Sequence, residues 1–444
     1  MAPSRGTEKG PKKPLATSRA SDGTKNSQKP LLTPSSSLAP ATIIPIFLQQ
    51  RLLDIFTTTF SDLLNPSTTI EVLPILLQEI KGHLYNRDFR KAFGSPRYLE
   101  AYAVRWSASR TLAYLQIFAE TYPHLDLDQS CPGKGPSANR DHVENSVRSA
   151  VRITCLGGGA GAELYALAGL CHLLQHSDNN LVSVELQDLK FDVVAIDNAN
   201  WTSVISTLHT AITSSPPTSA YASETARVAN TSIISAPVSL TTHFHQHDLL
   251  SPSTHGPFPA TLSSSPTYDT GEFHSTLHST NLITLMFTLN ELYTTSLPST
   301  QNFLLNLTAA AKPGTLLLVV DSPGSYSTVT INGREKRYPM HWLLDHTLLS
   351  VASSVVLEEG RDGDRQEVVD ERGEVNARGQ HALANDNTKP QQPFSTAEPE
   401  RAASSPCWGK IISEPSRWFR LPQGLRYPLR LEDMRFQMHL YRRL

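Results

Sequence analysis

Three glycines at alternate positions, Gly157, Gly159 and Gly161, lie between a short apolar run and the start of a helical pattern. Glycine lets the backbone turn sharply and approach a ligand with no Cβ in the way. A helix that begins directly behind such a turn presents unpaired N–H donors, which favour a carboxylate or a phosphate. Two carboxylates extend the pattern. Asp197 ends the apolar run Phe191 to Ile196, where it can accept hydrogen bonds from both hydroxyls of a ribose. Asp248 lies near the end of Thr241 to Leu250, where it can bind an exocyclic amine of adenine. Together these residues read as a site for a nucleotide-type cofactor. Its identity stays open at this level, because Gly157-x-Gly159-x-x-Ala162 also fits the dinucleotide fingerprint. The gap from Gly161 to Asp197 exceeds the usual ~20 residues, and the polar stretch near 177–189 reads as an insertion that lengthens it. His243, His245 and His247 alternate and so share one face of a strand. A row of histidines needing no metal fits them best, since no second ligand cluster accompanies them.

The elements that must position these residues follow from periodicity. Val151, Ile153, Cys155 and Leu156 form an opening strand, and Leu164, Leu167, Ala168 and Cys171 recur with helical spacing behind the glycines. Trp201, Val204, Ile205 and Leu208 predict a helix after the second strand, and Ser232–Ile234 a short strand. Asn281 to Thr288 is the strongest buried strand, and Asn290 and Glu291 follow it. A helix over Gln301–Ala311 and a Lys312-Pro313-Gly314 turn lead to the strand Gly314–Asp321. Pro339–Ser350 reads as a helix. In the last segment Met434, Phe436, Met438 and Leu440 alternate with Arg435, Gln437, His439 and Tyr441, as in a terminal antiparallel strand with one solvated face.

The 444 residues divide by composition. Residues 1–40 are basic and rich in Pro, Ser and Thr, and are expected to be disordered, either a solvated tail or an arm for nuclear import or RNA tethering. Residues 41–125 read as a helical region, in which Tyr85–Phe118 mixes arginines with Tyr85, Tyr98, Tyr102 and Trp106. That stretch fits a helical cap on the sheet, or a surface that pairs with phosphates and stacks bases. A polar linker covers 126–147. The sheet domain takes up 148–350 and 406–444, interrupted by a disordered insertion at 355–405. The net charge of −2 argues neither for nor against nucleic acid. The four cysteines lack a paired motif, which fits a reducing compartment. No apolar run approaches the ~20 residues that span a bilayer, so no membrane role is expected.

The order of elements resembles a class I S-adenosylmethionine (SAM)-dependent methyltransferase: an α/β, Rossmann-like sheet of five crossover strands plus an antiparallel C-terminal hairpin, preceded here by an N-terminal helical region. Four stretches narrow the resemblance: His83–Tyr114, CLGGGAGAEL (Cys155–Leu164), Arg337–Leu349 and Ser416–Arg443. Together they are similar to a fungal family that includes a large-subunit (25S) rRNA uridine-N3 methyltransferase. The resemblance implies SAM as cofactor, with Gly157, Gly159, Gly161, Asp197 and Asp248 around it. It also implies methylation of a uridine in large-subunit rRNA or a pre-ribosomal particle, in the nucleus (nucleolus) alone or in the cytoplasm as well, with no DNA partner expected. One departure stands out. Class I enzymes place an acidic residue two positions before the first glycine, and here that position holds Cys155. Glu163, at the helix start, is the nearest substitute for holding the cofactor's ammonium.

Uridine N3 carries a proton on the Watson–Crick edge. The base must be unpaired and the proton must leave before methyl transfer. Glu291 either takes that proton or only complements the start of the helix behind the strand; Asn290 can hold a uracil carbonyl, with Tyr293, Asp321, Tyr326 and Tyr338 as further candidates for the pocket. Arg417, Arg420, Arg426, Arg430, Arg442 and Arg443, with Trp418 and Tyr427, fit either an edge that contacts RNA or a solvated strand face. Three other readings compete: a methyltransferase acting on a protein or small molecule, an NAD-dependent oxidoreductase, and a non-catalytic ribosome-assembly factor.

Overall fold

Strands with both faces covered need apolar residues throughout, and that is what fixes the centre of this fold. In the computed structural model every residue of β4 (Leu282–Met286) and β5 (Leu316–Asp321) is buried, as is nearly all of β1 (Val151–Leu156) and β2 (Lys190–Asp197). The structure describes residues 44–126, 150–176, 189–216, 221, 223–224, 231–251, 270–331, 334–352 and 407–444. The tail at 1–40, nearly all of the linker and the insertion at 355–405 lie outside them.

With β3 (Ser239–Gln246), β8 (Trp408–Phe419) and β9 (Met434–Arg443), these strands form a seven-stranded sheet in the order β3-β2-β1-β4-β5-β9-β8. The first five are parallel, and β9 pairs antiparallel with both β5 and β8. A separate two-stranded ribbon, β6 (Tyr326–Ile331) and β7 (Arg334–Pro339), was not evident from periodicity. The strand order reverses between β1 and β4, and a crevice at the carboxyl ends of these two strands is where such sheets bind ligands.

Helices cover both faces. The N-terminal region forms α1 (Ile46–Thr59), four short or middle-sized helices α2 (Ser61–Leu64), α3 (Pro66–Glu71), α4 (Leu73–Tyr85) and α5 (Phe89–Ala92), then α6 (Pro96–Tyr102) and α7 (Ala108–Thr121). One π-helical segment, Ala103–Ser107, joins the last two. On the same face of the sheet lie α8 (Ala162–Gln175) and α9 (Thr202–Thr213). Leu52 and Phe56 of α1, Leu112 and Leu115 of α7, and Leu167 of α8 share one core with Ile153 and Val193 of the sheet. Each such side chain contributes about 1.5–3 kcal/mol on burial. The helical region therefore has no core of its own separate from the sheet. The opposite face is covered by α10 (Thr270–Ser279), α12 (Leu297–Ala310) and α13 (Met340–Asp345), with the short α11 (Leu289–Thr295) at the edge of the site.

Three expectations change. Ser232–Ile234 forms no strand; Ile233 and Ile234 are instead buried in a bend beside α9. The helix expected from Gln301 begins at Leu297, where Ser296 accepts from Ser299 N and Pro298 sits in the first turn. The last strand is not a terminal edge with a wet face. β9 lies between β5 and β8, and its polar residues Gln437, His439 and Tyr441 are fully buried. Tyr441 Oη donates to Asp345 Oδ1 at 2.7 Å, and Gln437 Nε2 donates to the Ser322 carbonyl. The alternating polar row is thus an internal hydrogen-bonding face. The exposed edge is β8, broken by register shifts on both sides of Ile412 to Glu414, with Pro415 in the second; such irregularity blunts an edge strand.

The two ends of the described chain are tied together. Gln50 exchanges hydrogen bonds with the backbone of Arg426, Arg105 pairs with Glu432, and Arg417 makes a two-toothed pair with Glu120. The last pair is largely shielded from water. Arg417→Ala is expected to cost about 1–2 kcal/mol in urea unfolding, and Glu120→Ala/Arg417→Ala to cost clearly less than the two single losses added together. Additive losses would show that the pair contributes nothing jointly.

Candidate functional site

The turn after β1 is wedged between its neighbours. Gly157 has φ +81° and its N–H donates to the Ile196 carbonyl at 2.7 Å, which ties the turn to β2. A Cβ at Gly157 would lie 2.2 Å from Thr288 Oγ1, just past β4, and one at Gly159 would lie 2.1 Å from Trp201 Cδ1. In this structure, then, the glycines admit protein side chains close to the turn; Trp201 packs against Gly159 with Phe93 and Tyr102 around it. Gly161, with φ +78°, caps α8 and leads into Glu163 in its first turn.

Asp197 stands at the tip of β2. Its Oδ2 accepts from Gly159 N at 3.2 Å and its Oδ1 from Ala199 N at 3.1 Å. Burial raises its pKa, while these two N–H groups pull it down; the Trp201 indole N–H also pulls it down without reaching full hydrogen-bond geometry. Each oxygen retains a lone pair for a further donor. Asp248 is exposed and accepts from Leu250 N; the preceding residue, His247, donates its N–H to the Asp197 carbonyl, so the tips of β2 and β3 adjoin. His243 sits 3.4 Å from Asp192, and among the described residues no group of three or more His, Cys, Asp or Glu is placed to hold a metal ion.

Glu163 is buried beneath the turn. Its Oε1 accepts from Thr284 Oγ1 of β4 at 2.7 Å, and its Oε2 lies 2.8 Å from where a Cβ on Gly158 would stand. Cys155 is the neighbouring group there, its Cβ 2.6 Å from the same point, and burial keeps its thiol protonated. The carboxylate absent from position 155 is therefore supplied at almost the same place by Glu163. Burial pushes its pKa up to about 7, with the nearby Asp197 adding to the shift and Thr284 and Arg110 opposing it. A buried carboxylate in this condition lacks a cation.

Past β4, Phe287 has φ +59°, strained for a side chain of this size, and its N–H donates to the Val320 carbonyl. α11 follows at once. Asn290 N donates to Asp321 Oδ2 at 2.9 Å and Ser322 N donates to Oδ1 at 2.7 Å, so Asp321, at the tip of β5, braces the segment that carries Asn290 and Glu291. Burial raises the Asp321 pKa to about 6. Glu291 Oε2 is buried without a hydrogen-bond partner and lies 3.8 Å from Arg87 Nη1.

The N-terminal helices close the site from above. Ser107 Oγ, at the end of the π-helical segment, donates to the Ala160 carbonyl at 2.8 Å, and Thr111 Oγ1 donates to Ala162 O. Both bonds fix α7 against the glycine turn. By sequence Trp201 belongs to a helix and Arg110 to a general cationic stretch; neither carries a local signal of its place, which depends on distant partners, Phe93 for Trp201 and Phe287 for Arg110.

Several expected residues lie elsewhere. Tyr293 is core on the far face, Tyr338 stacks on Trp342, and Tyr326 is exposed on the ribbon. Of the six C-terminal arginines, four are committed internally: Arg417 to Glu120, Arg420 to Asp433, Arg442 to the His124 carbonyl and Arg443 to the carbonyls of Thr308 and Cys407. Tyr427 donates to the Val104 carbonyl. Arg426 and Arg430 are exposed, and Trp418 is exposed between Arg420, 3.8 Å from its ring centroid, and Arg435.

The residues present fit a cofactor with a ribose and a cationic end: acceptors at Asp197, a helix N-terminus behind the turn, and a buried anion at Glu163. The family model "Putative SAM-dependent methyltransferase" matches residues 56–442. A 25S rRNA (uridine(2843)-N(3))-methyltransferase of Saccharomyces cerevisiae is 27% identical over 402 residues, covering 88% of this chain and 85% of that protein. Among solved structures, a SAM-dependent methyltransferase from Methanosarcina mazei aligns at 9% identity over 66% of this chain and 93% of its own, with a TM-score of 0.28. Human N-acetylserotonin methyltransferase in complex with SAM aligns at 14% over 60% and 52%, with a TM-score of 0.21. The strand order, the glycine turn and the family match agree: the chain belongs to the SAM-dependent methyltransferase family and uses S-adenosyl-L-methionine as its cofactor.

Proposed function

We propose that this methyltransferase acts on N3 of an unpaired uridine in large-subunit rRNA, free or within a pre-ribosomal particle. The observation that carries the reading is the similarity to the yeast 25S rRNA enzyme along 88% of the chain. A nuclear site of action goes with that substrate and with the basic first thirty residues.

When bound, the cofactor supplies an electrophilic methyl group on a sulfonium. The chain has to hold the acceptor in line with it, and such positioning supplies much of the acceleration. Asp197 and the N–H groups at the start of α8 hold the ribose and backbone side of the site. Glu163 receives the ammonium. Asn290 holds a uracil carbonyl, and Glu291 Oε2, which accepts no hydrogen bond and lies beside Arg87, takes the N3 proton. Asp321 is a positioning residue, since both its oxygens brace the Asn290–Ser322 backbone. Trp418, together with the exposed Arg426 and Arg430, offers a stacking and phosphate-contacting surface for RNA.

Nucleoside mass analysis of large-subunit rRNA from cells lacking the protein tests the substrate. Loss of one 3-methyluridine, restored by the wild-type chain, is the expected outcome; an unchanged nucleoside profile would exclude it. Glu163 gives a second expectation. Its pKa of about 7 lies above that of the unfolded chain, so its contribution to apo stability is greatest below the unfolded value and is lost as pH rises through about 7. An incoming ammonium reverses the preference by lowering that pKa. SAM affinity, measured by calorimetry, should therefore climb with pH up to about 7, by at most roughly tenfold per unit, and Glu163→Gln should bind more weakly with a flat profile. A wild-type profile in the Gln variant removes Glu163 from the ammonium site.

A further inference from the structure

Arg110 ends among aromatic rings and forms no ion pair among the described residues. Its Nη1 donates to Tyr102 Oη at 2.9 Å, and its Cζ lies 4.9 Å from the Phe287 ring centroid and 5.9 Å from that of Tyr102. Phe287 holds this position with its backbone at φ +59°. A guanidinium carries five N–H donors in a fixed fork, matched to a carboxylate. Most of that capacity is unused here. Glu163 is the complementary case, a buried carboxylate with one hydroxyl donor and no cation bonded to it. The two charges sense each other, since Arg110 pulls the Glu163 pKa down, yet no ion pair joins them. A cation and an anion held apart in one shielded site leave both desolvated without mutual compensation.

Their placement is matched. Arg110 lies in the first turn of α7 and Glu163 in the first turn of α8. The Ser107–Ala160 and Thr111–Ala162 hydrogen bonds lock these two helix starts together on either side of Arg110. An α-amino acid carries its ammonium and its carboxylate on one carbon, so it needs an anion and a cation facing the same point.

We propose that Arg110 and Glu163 form the two halves of a zwitterion clamp for the amino-acid end of the cofactor, with Arg110 taking the carboxylate and Glu163 the ammonium. The clamp rests on the SAM assignment and not on the RNA substrate, so it stands or falls independently of uridine methylation. Tyr102 and Phe287 serve it by holding the guanidinium fork in plane.

Calorimetry on the full chain with three ligands tests it: S-adenosylhomocysteine, its decarboxylated analogue, and methylthioadenosine, which lacks the amino acid. The wild type should prefer S-adenosylhomocysteine over the decarboxylated analogue by about 100-fold, as expected when one partner of a shielded charge pair is removed. Arg110→Met should bind those two equally while keeping wild-type affinity for methylthioadenosine; that last value shows the site is intact. If Arg110→Met does not fold, the wild-type comparison decides alone, and Tyr102→Phe should weaken S-adenosylhomocysteine several-fold without touching methylthioadenosine. Equal wild-type affinity for the parent ligand and its decarboxylated analogue overturns the clamp. So does an Arg110→Met variant with full affinity for S-adenosylhomocysteine and slower methyl transfer, which would move Arg110 to the acceptor base.

Discussion

Glu291→Gln is expected to slow single-turnover methylation of a uridine-containing rRNA fragment by about 10²–10⁴-fold, the usual worth of a positioned general base, with SAM affinity unchanged. The side chain is nearly isosteric, so folding is not at issue. Oε2 accepts no hydrogen bond, which leaves it free to receive a proton. Burial raises the Glu291 pKa and Arg87 opposes the rise without cancelling it. The wild-type rate should therefore increase with pH through a carboxyl pKa above the ordinary range and then level off. The Gln variant should lose that limb altogether. A Gln variant with the wild-type rate and pH profile would assign the proton to water. Asp321 is not an equivalent candidate, although its pKa is also raised, because both its oxygens already accept backbone N–H groups.

Asp197→Ala should weaken SAM binding by at least about 100-fold, again by calorimetry. Two losses combine. The ribose hydroxyls lose a charged acceptor, worth roughly 1.5–3 kcal/mol per hydrogen bond, and the glycine turn loses the brace that Asp197 makes to Gly159 N. Asp197→Asn keeps one carbonyl oxygen and should fall between the two. Methylthioadenosine carries the ribose, so it should suffer as much as the full cofactor, the opposite of the pattern expected for Arg110. Unaltered binding to Asp197→Ala would place the ribose elsewhere.

The parts of this molecule that were legible in sequence share one property: their surroundings are set locally or are uniform. β4 and β5 are apolar at nearly every position because both faces are covered, and Gly157 and Gly161 mark backbone angles that few other residues adopt. Asp197 was legible because a carboxylate directly after an apolar run can only sit at a strand tip. Failures came where the environment is supplied from far along the chain. The row Gln437, His439, Tyr441 has the pattern of a wet face, and only the α13 side chains and the β8 strand make it dry. Arg417 and Arg443 look like free cations until Glu120 and the Thr308 carbonyl are brought to them. Arg110 and Phe287 are 177 positions apart, and no local spacing relates a helix start to a strained residue past a strand.

The pairing of Gln50 with Arg426, Arg105 with Glu432 and Glu120 with Arg417 has a consequence for biosynthesis. A nascent chain emerges from its N-terminus, yet the helices that roof the cofactor turn are tied to a segment made 297 to 376 residues later, and β9 can insert between β5 and β8 only after both of those strands exist. Until that segment is made, the roof is held only by its packing on the sheet and its bonds to the glycine turn, and a product truncated before β9 would leave the edge of β5 unpaired. Chains that stop short of β8 and β9 should therefore bind the methyl donor more weakly than the full chain.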